Sequence, residues 1–259
     1  MTTAAWIDLD GLANMRDVGG LPTQDGRQVQ HGRLVRSDNL QELTTADVQV
    51  LLDHGVTDIV DLRSRAELAM TGPGPLVQVE PLTHHHHSLF ADDLVDVTVE
   101  DALVLPWHDR VEETRDDNHW TSHYLGYLAD RPDSVAAALD VVSRSAGATV
   151  VHCAAGKDRT GTVTAMALSV AGVSDDDITA DYLATRERIE RVVDRLKATP
   201  AYADNLRDRP LSDHVPDPET IPRLLEAVRR AAGSVPDWLS AQGWTDDDLT
   251  RLRDRLTRP

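Results

Sequence analysis

The segment Ala148–Gly172, ATVVHCAAGKDRTGTVTAMALSVAG, decides the fold of this chain. Its opening stretch, ATVVH, is apolar and β-branched and predicts a short buried strand. The run from Thr160 to Ala171 predicts an apolar helix that ends at Gly172. A strand, a loop of small residues and a helix in this order are typical of an α/β fold. We therefore expect a central, mostly parallel sheet flanked by helices.

The loop in this segment has the composition of an anion-binding site. Cys153 and Arg159 are separated by five residues. A loop that leaves a strand and enters a helix can direct successive backbone N–H groups at one centre, where the positive end of the helix adds to their effect. Ala154, Ala155 and Gly156 are small enough to let the backbone approach a phosphate closely. The guanidinium of Arg159 suits two phosphate oxygens.

Cys153 lies at the base of this loop, where N–H dipoles and a guanidinium favour the thiolate over the thiol. Attack of that thiolate on phosphorus would give a phosphocysteine, which water hydrolyses to inorganic phosphate. Thr160 can donate a hydrogen bond to the sulfur and help it leave. Lys157 is one of two lysines in the chain, and its position favours contact with substrate over an ordinary exposed site.

The pattern of the rest of the chain predicts one domain, residues 1–259, in which helices and strands alternate. Thr44 or Thr45 caps a helix, and VTDIVDL predicts a buried strand. Further helices are predicted from Trp120 to Ser145, from Ser174 to Lys197, before Gly233 and from Thr245.

The stretch HCAAGKDRTG resembles the signature of the cysteine-dependent protein tyrosine and dual-specificity phosphatases. It resembles in particular the bacterial members related to the mycobacterial secreted phosphatase B. The stretches NMRDVGG, LVRS, VDLRS and ADYL extend the resemblance over nearly the whole chain. The resemblance implies a phosphate monoester hydrolase with no metal or organic cofactor. Phosphotyrosine proteins are the first expected substrates, and the pair Lys157 and Asp158 resembles loops that accept phosphoinositides.

The sequence offers several candidates for the group that protonates the leaving oxygen. Ordinary tyrosine phosphatases use an Asp in a Trp-Pro-Asp loop, and this chain has no such tripeptide. We favour Asp158, which must then be protonated, and a neighbouring phosphate dianion raises its pKa. Asp158 could instead brace Arg159 or cap the helix. Asp92, Asp93 and Asp109 are the substitutes.

Other polar groups have two interpretations each. Asp61 and Arg63 follow a predicted strand, where the loops of α/β sheets line the site; they contact the substrate or tie the loop in place. Residues 84–118 are expected to form an irregular acidic insertion, and the tetrad His84–His87 binds nickel or zinc or, as we favour, lies in a solvated loop. By resemblance, residues 184–218 form a helical lid.

Composition excludes several classes of function. The formal net charge of −18 makes nucleic-acid and anionic-membrane binding unfavourable. No apolar run reaches the length of a membrane span, and no signal peptide is visible, so a cytoplasmic protein is expected, with unconventional secretion left open. An alternative of another class is a catalytically weak module that binds phosphoinositides or phosphoproteins.

Overall fold

Six strands form one sheet in the computed structural model, which describes residues 4–91 and 113–258. The strands are β1 (Ala5–Trp6), β2 (Arg16–Asp17), β3 (Leu34–Ser37), β4 (Val56–Asp61), β5 (Thr83–His86) and β6 (Ala148–His152). Their order across the sheet is β1-β2-β3-β6-β4-β5. The last four in this order are parallel, and β1 and β2 add an antiparallel edge. The predicted α/β fold with a mostly parallel central sheet is confirmed.

Helices cover both faces of this sheet. They are α1 (Thr45–Asp53), α2 (Arg65–Thr71), α3 (His119–Asp130), α4 (Pro132–Arg144), α5 (Asp158–Ala171), α6 (Asp175–Ala184), α7 (Ile189–Ala198), α8 (Pro200–Leu206), α9 (Thr220–Ala232), α10 (Val235–Ala241) and α11 (Asp246–Thr257). One apolar core joins the sheet to α1, and a larger one joins it to α3, α4, α5 and α9–α11. Within the two described ranges, no helix is both long and apolar enough to cross a membrane.

Strand β6 lies in the middle of the sheet and positions the loop that follows it. Val150 packs into the core on the α1 side, and Val151 into the core on the α5 side, so both faces of the strand are buried. β3 and β4 bond to its two edges in parallel. The strand therefore delivers Cys153 to the carboxyl edge of the sheet, where ligand sites of α/β proteins lie.

Two helices predicted as continuous are interrupted. The run from Trp120 to Ser145 breaks at Pro132, which lacks an N–H and begins α4 instead of continuing α3. The run from Ser174 to Lys197 breaks at a 3₁₀ turn, Thr185–Glu187, between α6 and α7. The predicted start of this helix at Ser174 is confirmed, because the Ser174 side chain caps α6 by accepting from the Asp177 N–H.

Three of the four residues of the histidine tetrad lie in a strand and not in the predicted loop. His84, His85 and His86 belong to β5, an edge strand that pairs with β4 in parallel. Nε2 of His85 lies 2.9 Å from Oδ1 of Asp58, and Nε2 of His86 lies 2.8 Å from the Arg63 carbonyl oxygen. These ring nitrogens are therefore engaged by the protein itself.

A buried cluster of two arginines and one aspartate joins the N-terminal strands to α6. Arg16 donates through Nε to Oδ1 of Asp181 at 2.9 Å, and Arg36 donates through Nη1 to Oδ2 at 2.5 Å. Burial raises the pKa of Asp181, but the two guanidinium groups outweigh it and hold this pKa below its ordinary value. Burial and the neighbouring Arg36 lower the pKa of Arg16 to about 10, so it stays charged. One carboxylate thus balances two buried cations.

We predict that Asp181→Asn lowers the free energy of unfolding by about 3–5 kcal/mol, because it leaves two buried guanidinium groups without their counter-ion. The carboxylate stabilises the fold above the ordinary aspartate pKa of 3.8, and its contribution is lost as the pH falls below that value. The difference in free energy of unfolding between the wild-type chain and the variant should therefore be smaller at acid pH. Urea unfolding of both proteins at pH 7 and pH 3 measures this difference.

The control is Asp175→Asn. Asp175 lies on α6, like Asp181, and is a half-exposed ion-pair partner of Arg229. The substitution should lower stability by about 1 kcal/mol or less. Equal losses in the two variants, or a gap that widens as the pH falls, would contradict the role given to Asp181.

Candidate active site

The loop between β6 and α5 is held from outside by hydrogen bonds to its carbonyl oxygens. Nδ2 of Asn14 donates to the carbonyl oxygens of Ala155 and Gly156 at 2.9 and 3.2 Å, and Nη2 of Arg36 donates to the latter at 2.9 Å. The backbone N–H of Asn39 donates to the Ala154 carbonyl at 3.0 Å. Across a trans peptide the next N–H points the opposite way. The loop N–H groups therefore face inward, as an anion site requires.

Gly156 is the position at which this loop requires glycine. Its φ is +65°, in the left-handed region. A Cβ there would lie 2.6 Å from the backbone of Ser37 and Asp38, which is closer than non-bonded atoms approach. The loop can pack against the end of β3 only because that side chain is absent.

Arg159 lies at the start of α5 and pairs with a carboxylate that the sequence analysis missed. Nη1 and Nη2 of Arg159 donate to Oε2 and Oε1 of Glu67 at 2.5 and 2.9 Å, and Glu67 is fully buried. Burial raises the pKa of Glu67, but Arg159 outweighs it and the net shift is downward. The pKa of Arg159 is raised, because Glu67 and Cys153 outweigh the effect of its burial. Both groups of the pair are thus ionised.

A signal for Glu67 was present in the sequence. Ser64 and Glu67 form a capping box at the start of α2, in which each side chain accepts from the other residue's N–H. The spacing marks a helix start directly after β4. Nothing local shows that the same carboxylate reaches Arg159.

Asp158 binds two groups that control its charge. The Tyr124 hydroxyl donates to Oδ1 of Asp158 at 2.8 Å, and Nζ of Lys157 lies 3.3 Å from the same oxygen. Burial alone would raise the pKa of Asp158, but Lys157 and the hydroxyl outweigh it and lower this pKa. Burial and Asp158 raise the pKa of Tyr124 well above its ordinary value, so it remains a donor.

The side chain of Lys157 is buried between its own loop, Trp120 of α3 and the segment that contains His214. Its ammonium lies 4.2 Å from the centre of the Trp120 ring, a cation–π distance. It also donates to the carbonyl oxygen of His214 at 3.0 Å. In this arrangement the ammonium joins the anion loop to the segment that precedes α9.

Asp61, Arg63 and His152 lie behind the loop and do not line its cavity. Arg63 donates through Nη2 to Oδ2 of Asp61 at 2.6 Å, and Nε2 of His152 is 3.5 Å from the same oxygen. Burial would raise the pKa of Asp61, but the effect of His152 and Arg63 is larger and lowers this pKa. Burial lowers the pKa of His152 to about 4 against the pull of Asp61, so this imidazole is neutral. The geometry favours the bracing interpretation of Asp61 and Arg63.

The hydroxyl of Thr160 is buried and has no hydrogen-bond partner among the described residues. The bond to sulfur predicted from the sequence is therefore not among the contacts of this structure. Asp92, Asp93 and Asp109 lie outside the described residues.

A cavity of about 450 Å³ opens above the loop. Cys153, Ala154 and Ala155 form part of its floor together with Lys157, Asp158 and Arg159. Aromatic rings form part of its wall, and residues of α7, α8 and the segment before α9 form the far side. The residues of the wall and the far side are Phe90, His119, Trp120, His123, Tyr127, Ile189, Val192, Val193, Leu196, Tyr202, Asn205, Leu206, Arg209 and His214. Cys153 itself is only 1% exposed. An aryl group with a phosphate at its end fits the chemistry of this space.

Sequence comparison gives the family. A model of the tyrosine phosphatase family matches residues 7–258. A protein of Cupriavidus necator, provisionally named a tyrosine-protein phosphatase, is 31% identical over 70% of this chain and 63% of its own length. The triple specificity protein phosphatase PtpB of Mycobacterium tuberculosis is 31% identical over 73% of this chain and 72% of its own length. A tyrosine-protein phosphatase of Nostoc commune is 29% identical over 60% of this chain and 49% of its own length.

The match thus covers less than two thirds of two of these relatives. The family model, in contrast, extends over both described ranges and includes the loop from Cys153 to Arg159. With a buried thiol and a paired arginine at the two ends of that loop, this chain belongs to the tyrosine phosphatase family.

Proposed function

We propose that this chain is a protein tyrosine phosphatase that works through a phosphocysteine intermediate. One observation carries the proposal: the Cys153 thiol lies at the floor of an aromatic cavity, inside a loop whose carbonyl oxygens are bound from outside. A phosphate bound there meets inward N–H groups, the N-terminus of α5 and the guanidinium of Arg159. These donors match the charge that develops on a phosphoryl group in transfer.

The reaction has two steps. In the first, the Cys153 sulfur bonds to phosphorus while the ester P–O bond breaks, and Asp158 gives its proton to the leaving oxygen. In the second, a water oxygen bonds to phosphorus, its proton passes to Asp158, and the P–S bond breaks. Inorganic phosphate is released and the thiolate is restored. A hydrogen bond from Thr160 to the sulfur would assist the second step.

Asp158 is ionised in the free protein, because Lys157 and Tyr124 lower its pKa. The first step needs the protonated acid. A bound phosphate dianion raises the pKa of a neighbouring carboxyl, so binding of the substrate itself prepares Asp158. The same dianion draws Lys157 away from Asp158, which adds to that rise.

Residues 184–218 form a lid in this proposal. They contain α7 and α8, and side chains of both helices line the cavity on the side facing Cys153. The 1% exposure of Cys153 supports this role, because a protein substrate would reach the thiol after these helices move. In this proposal the observed arrangement is the closed one.

Phosphotyrosine is the first substrate class because the cavity wall is aromatic. The relative from M. tuberculosis is named a triple specificity phosphatase, which supports a wider range that includes phosphoserine and phosphothreonine. Phosphoinositides are further candidates, since Lys157 adds a second cation to the loop. The alternative is a module that binds phosphoproteins or phosphoinositides without turnover; the buried thiol argues against it, because binding alone needs no nucleophile.

Cys153→Ser should lower turnover of an aryl phosphate by roughly 10,000-fold or more, because a neutral hydroxyl replaces the thiolate. Steady-state hydrolysis with purified protein measures it, and the thermal unfolding midpoint verifies the fold. Retained turnover would overturn the mechanism. Tight binding of a phosphopeptide by the wild-type chain with no turnover at pH 5–7 would instead support the binding module.

Asp158→Asn should lower kcat for a phosphotyrosine peptide by roughly 100- to 10,000-fold. The loss should be much smaller for p-nitrophenyl phosphate, because nitrophenolate leaves without a proton. In the wild-type chain kcat falls as the pH rises through the raised Asp158 pKa of the complex, and the variant should lack this alkaline fall.

The control is Asp176→Asn, an exposed aspartate in the first turn of α6. This variant should have the wild-type kcat for both the phosphotyrosine peptide and p-nitrophenyl phosphate. If Asp158→Asn lowers kcat equally for both substrates, Asp158 braces the loop and is not the acid.

Lys157→Met should lower kcat/KM for a bisphosphorylated inositol headgroup roughly 10-fold more than for a singly phosphorylated tyrosine peptide, because a second phosphate gains a charged hydrogen bond from the ammonium. Lys197→Met removes the chain's second lysine, which is exposed on α7, and is the matched control. A phosphate-release assay on both substrates measures the ratio. An unchanged ratio would mean that Lys157 contributes nothing to the choice of substrate.

A further inference from the structure

Tyr202 is a buried lid residue that reaches the machinery of the loop from the opposite side of the cavity. It lies on α8 and is 3% exposed. Its hydroxyl donates to Oε1 of Glu67 at 3.1 Å. This oxygen is the one that accepts Nη2 of Arg159 at 2.9 Å. A single carboxylate therefore joins the lid helix to the arginine of the anion loop.

The donors to Glu67 come from three separate elements. Oε2 accepts the Ser64 N–H at 2.8 Å and Nη1 of Arg159 at 2.5 Å, and Oε1 accepts Nη2 of Arg159 and the Tyr202 hydroxyl. A buried carboxylate is stable only when donors satisfy its oxygens. Ser64 belongs to the same capping box as Glu67 and stays with it. If α8 moves away, the donor that Oε1 loses is the one from Tyr202.

We propose that Tyr202 is a positioning residue that acts through Glu67 on Arg159, so that docking of α8 and the phosphate-binding orientation of the guanidinium favour each other. The inference rests on the proposed role of the loop as a phosphate site. The coupling is reciprocal. Docking of α8 increases the affinity for phosphate, and bound phosphate stabilises the docked position of α8 by the same free energy.

The hydroxyl is suited to this role because it does not titrate. Burial and the nearby Glu67 raise the pKa of Tyr202 far above its ordinary value. The donor is therefore present at every pH at which the enzyme works. The ring has a separate packing role, because it lies in an apolar cluster with Ala154, Ala201 and Leu206. A test must consequently remove the hydroxyl and keep the ring.

Tyr202→Phe does so. In isothermal titration with inorganic phosphate, we expect its phosphate affinity to fall roughly 10-fold, the scale of one charged hydrogen bond. The matched control is Thr199→Val, which removes another hydroxyl at the start of α8; that hydroxyl donates to the Arg195 carbonyl at 3.0 Å and does not touch Glu67. The control should stay within about 2-fold of the wild-type affinity.

A double-mutant cycle distinguishes positioning from packing. Arg159→Lys loses the two-point pairing with Glu67. In that background Tyr202→Phe should have no further effect on phosphate affinity, whereas independent effects would multiply. Independent effects, unchanged affinity in Tyr202→Phe, or an equal loss in Thr199→Val would each overturn the proposal.

A second measurement does not depend on a Tyr202 variant. Saturating inorganic phosphate should slow amide hydrogen exchange in residues 201–206 of the wild-type chain and should not do so in Arg159→Lys. Exchange that phosphate leaves unchanged in the wild-type chain would contradict the coupling. Phosphate affinity and hydrogen exchange are both measured without turnover. A negative result in either one would therefore contradict the coupling without contradicting the Cys153 mechanism, which is tested by turnover.

Discussion

The outward binding of the loop carbonyls is the constraint on which the active site depends. A loop of consecutive residues presents its N–H groups to an anion only if its C=O groups have acceptor roles elsewhere. Asn14 and Arg36 supply the donors, and Arg36 is in turn held by Asp181. Arg36 lies on β3, which pairs with β6, and Asn14 lies two residues before β2, the next strand of the sheet. The sheet order therefore serves the geometry of one loop.

The buried arginines around this loop are paired with carboxylates in a chain whose formal net charge is −18. Arg159 pairs with Glu67 and Arg63 with Asp61, whereas Arg16 and Arg36 share Asp181. Each pair lies behind or beside the loop, so the charges that hold it in shape are already neutralised. A phosphate in the cavity is therefore attracted mainly by the loop N–H groups, the N-terminus of α5 and the two cationic side chains that line the cavity floor, Lys157 and Arg159.

The parts of the structure that local patterns specify were predictable. The β-branched run ATVVH and the apolar helix after it predicted β6, α5 and the loop between them. The helix starts predicted at Thr44 or Thr45 and at Ser174 are also correct, with Thr44 as the cap of α1. The residues that complete the site could not be predicted, because each of them contacts a partner that is distant in sequence. Glu67 is 92 positions from Arg159, and Tyr202 is 135 positions from Glu67. A capping pattern predicts a helix start, and it holds no information about such a partner.

The positions of the loop before Lys157 differ in the side chains that they can accept. A side chain at Gly156 would collide with the backbone at the end of β3, so this position is fixed. Ala154 is buried in the cluster with Tyr202, so a larger side chain there would press on the helix that donates to Glu67. Ala155 lines the cavity, is only partly buried, and accepts from Asn14 through its backbone carbonyl oxygen. A larger side chain at Ala155 would therefore reshape the floor and keep that bond, so divergence of specificity within this architecture is directed to this position.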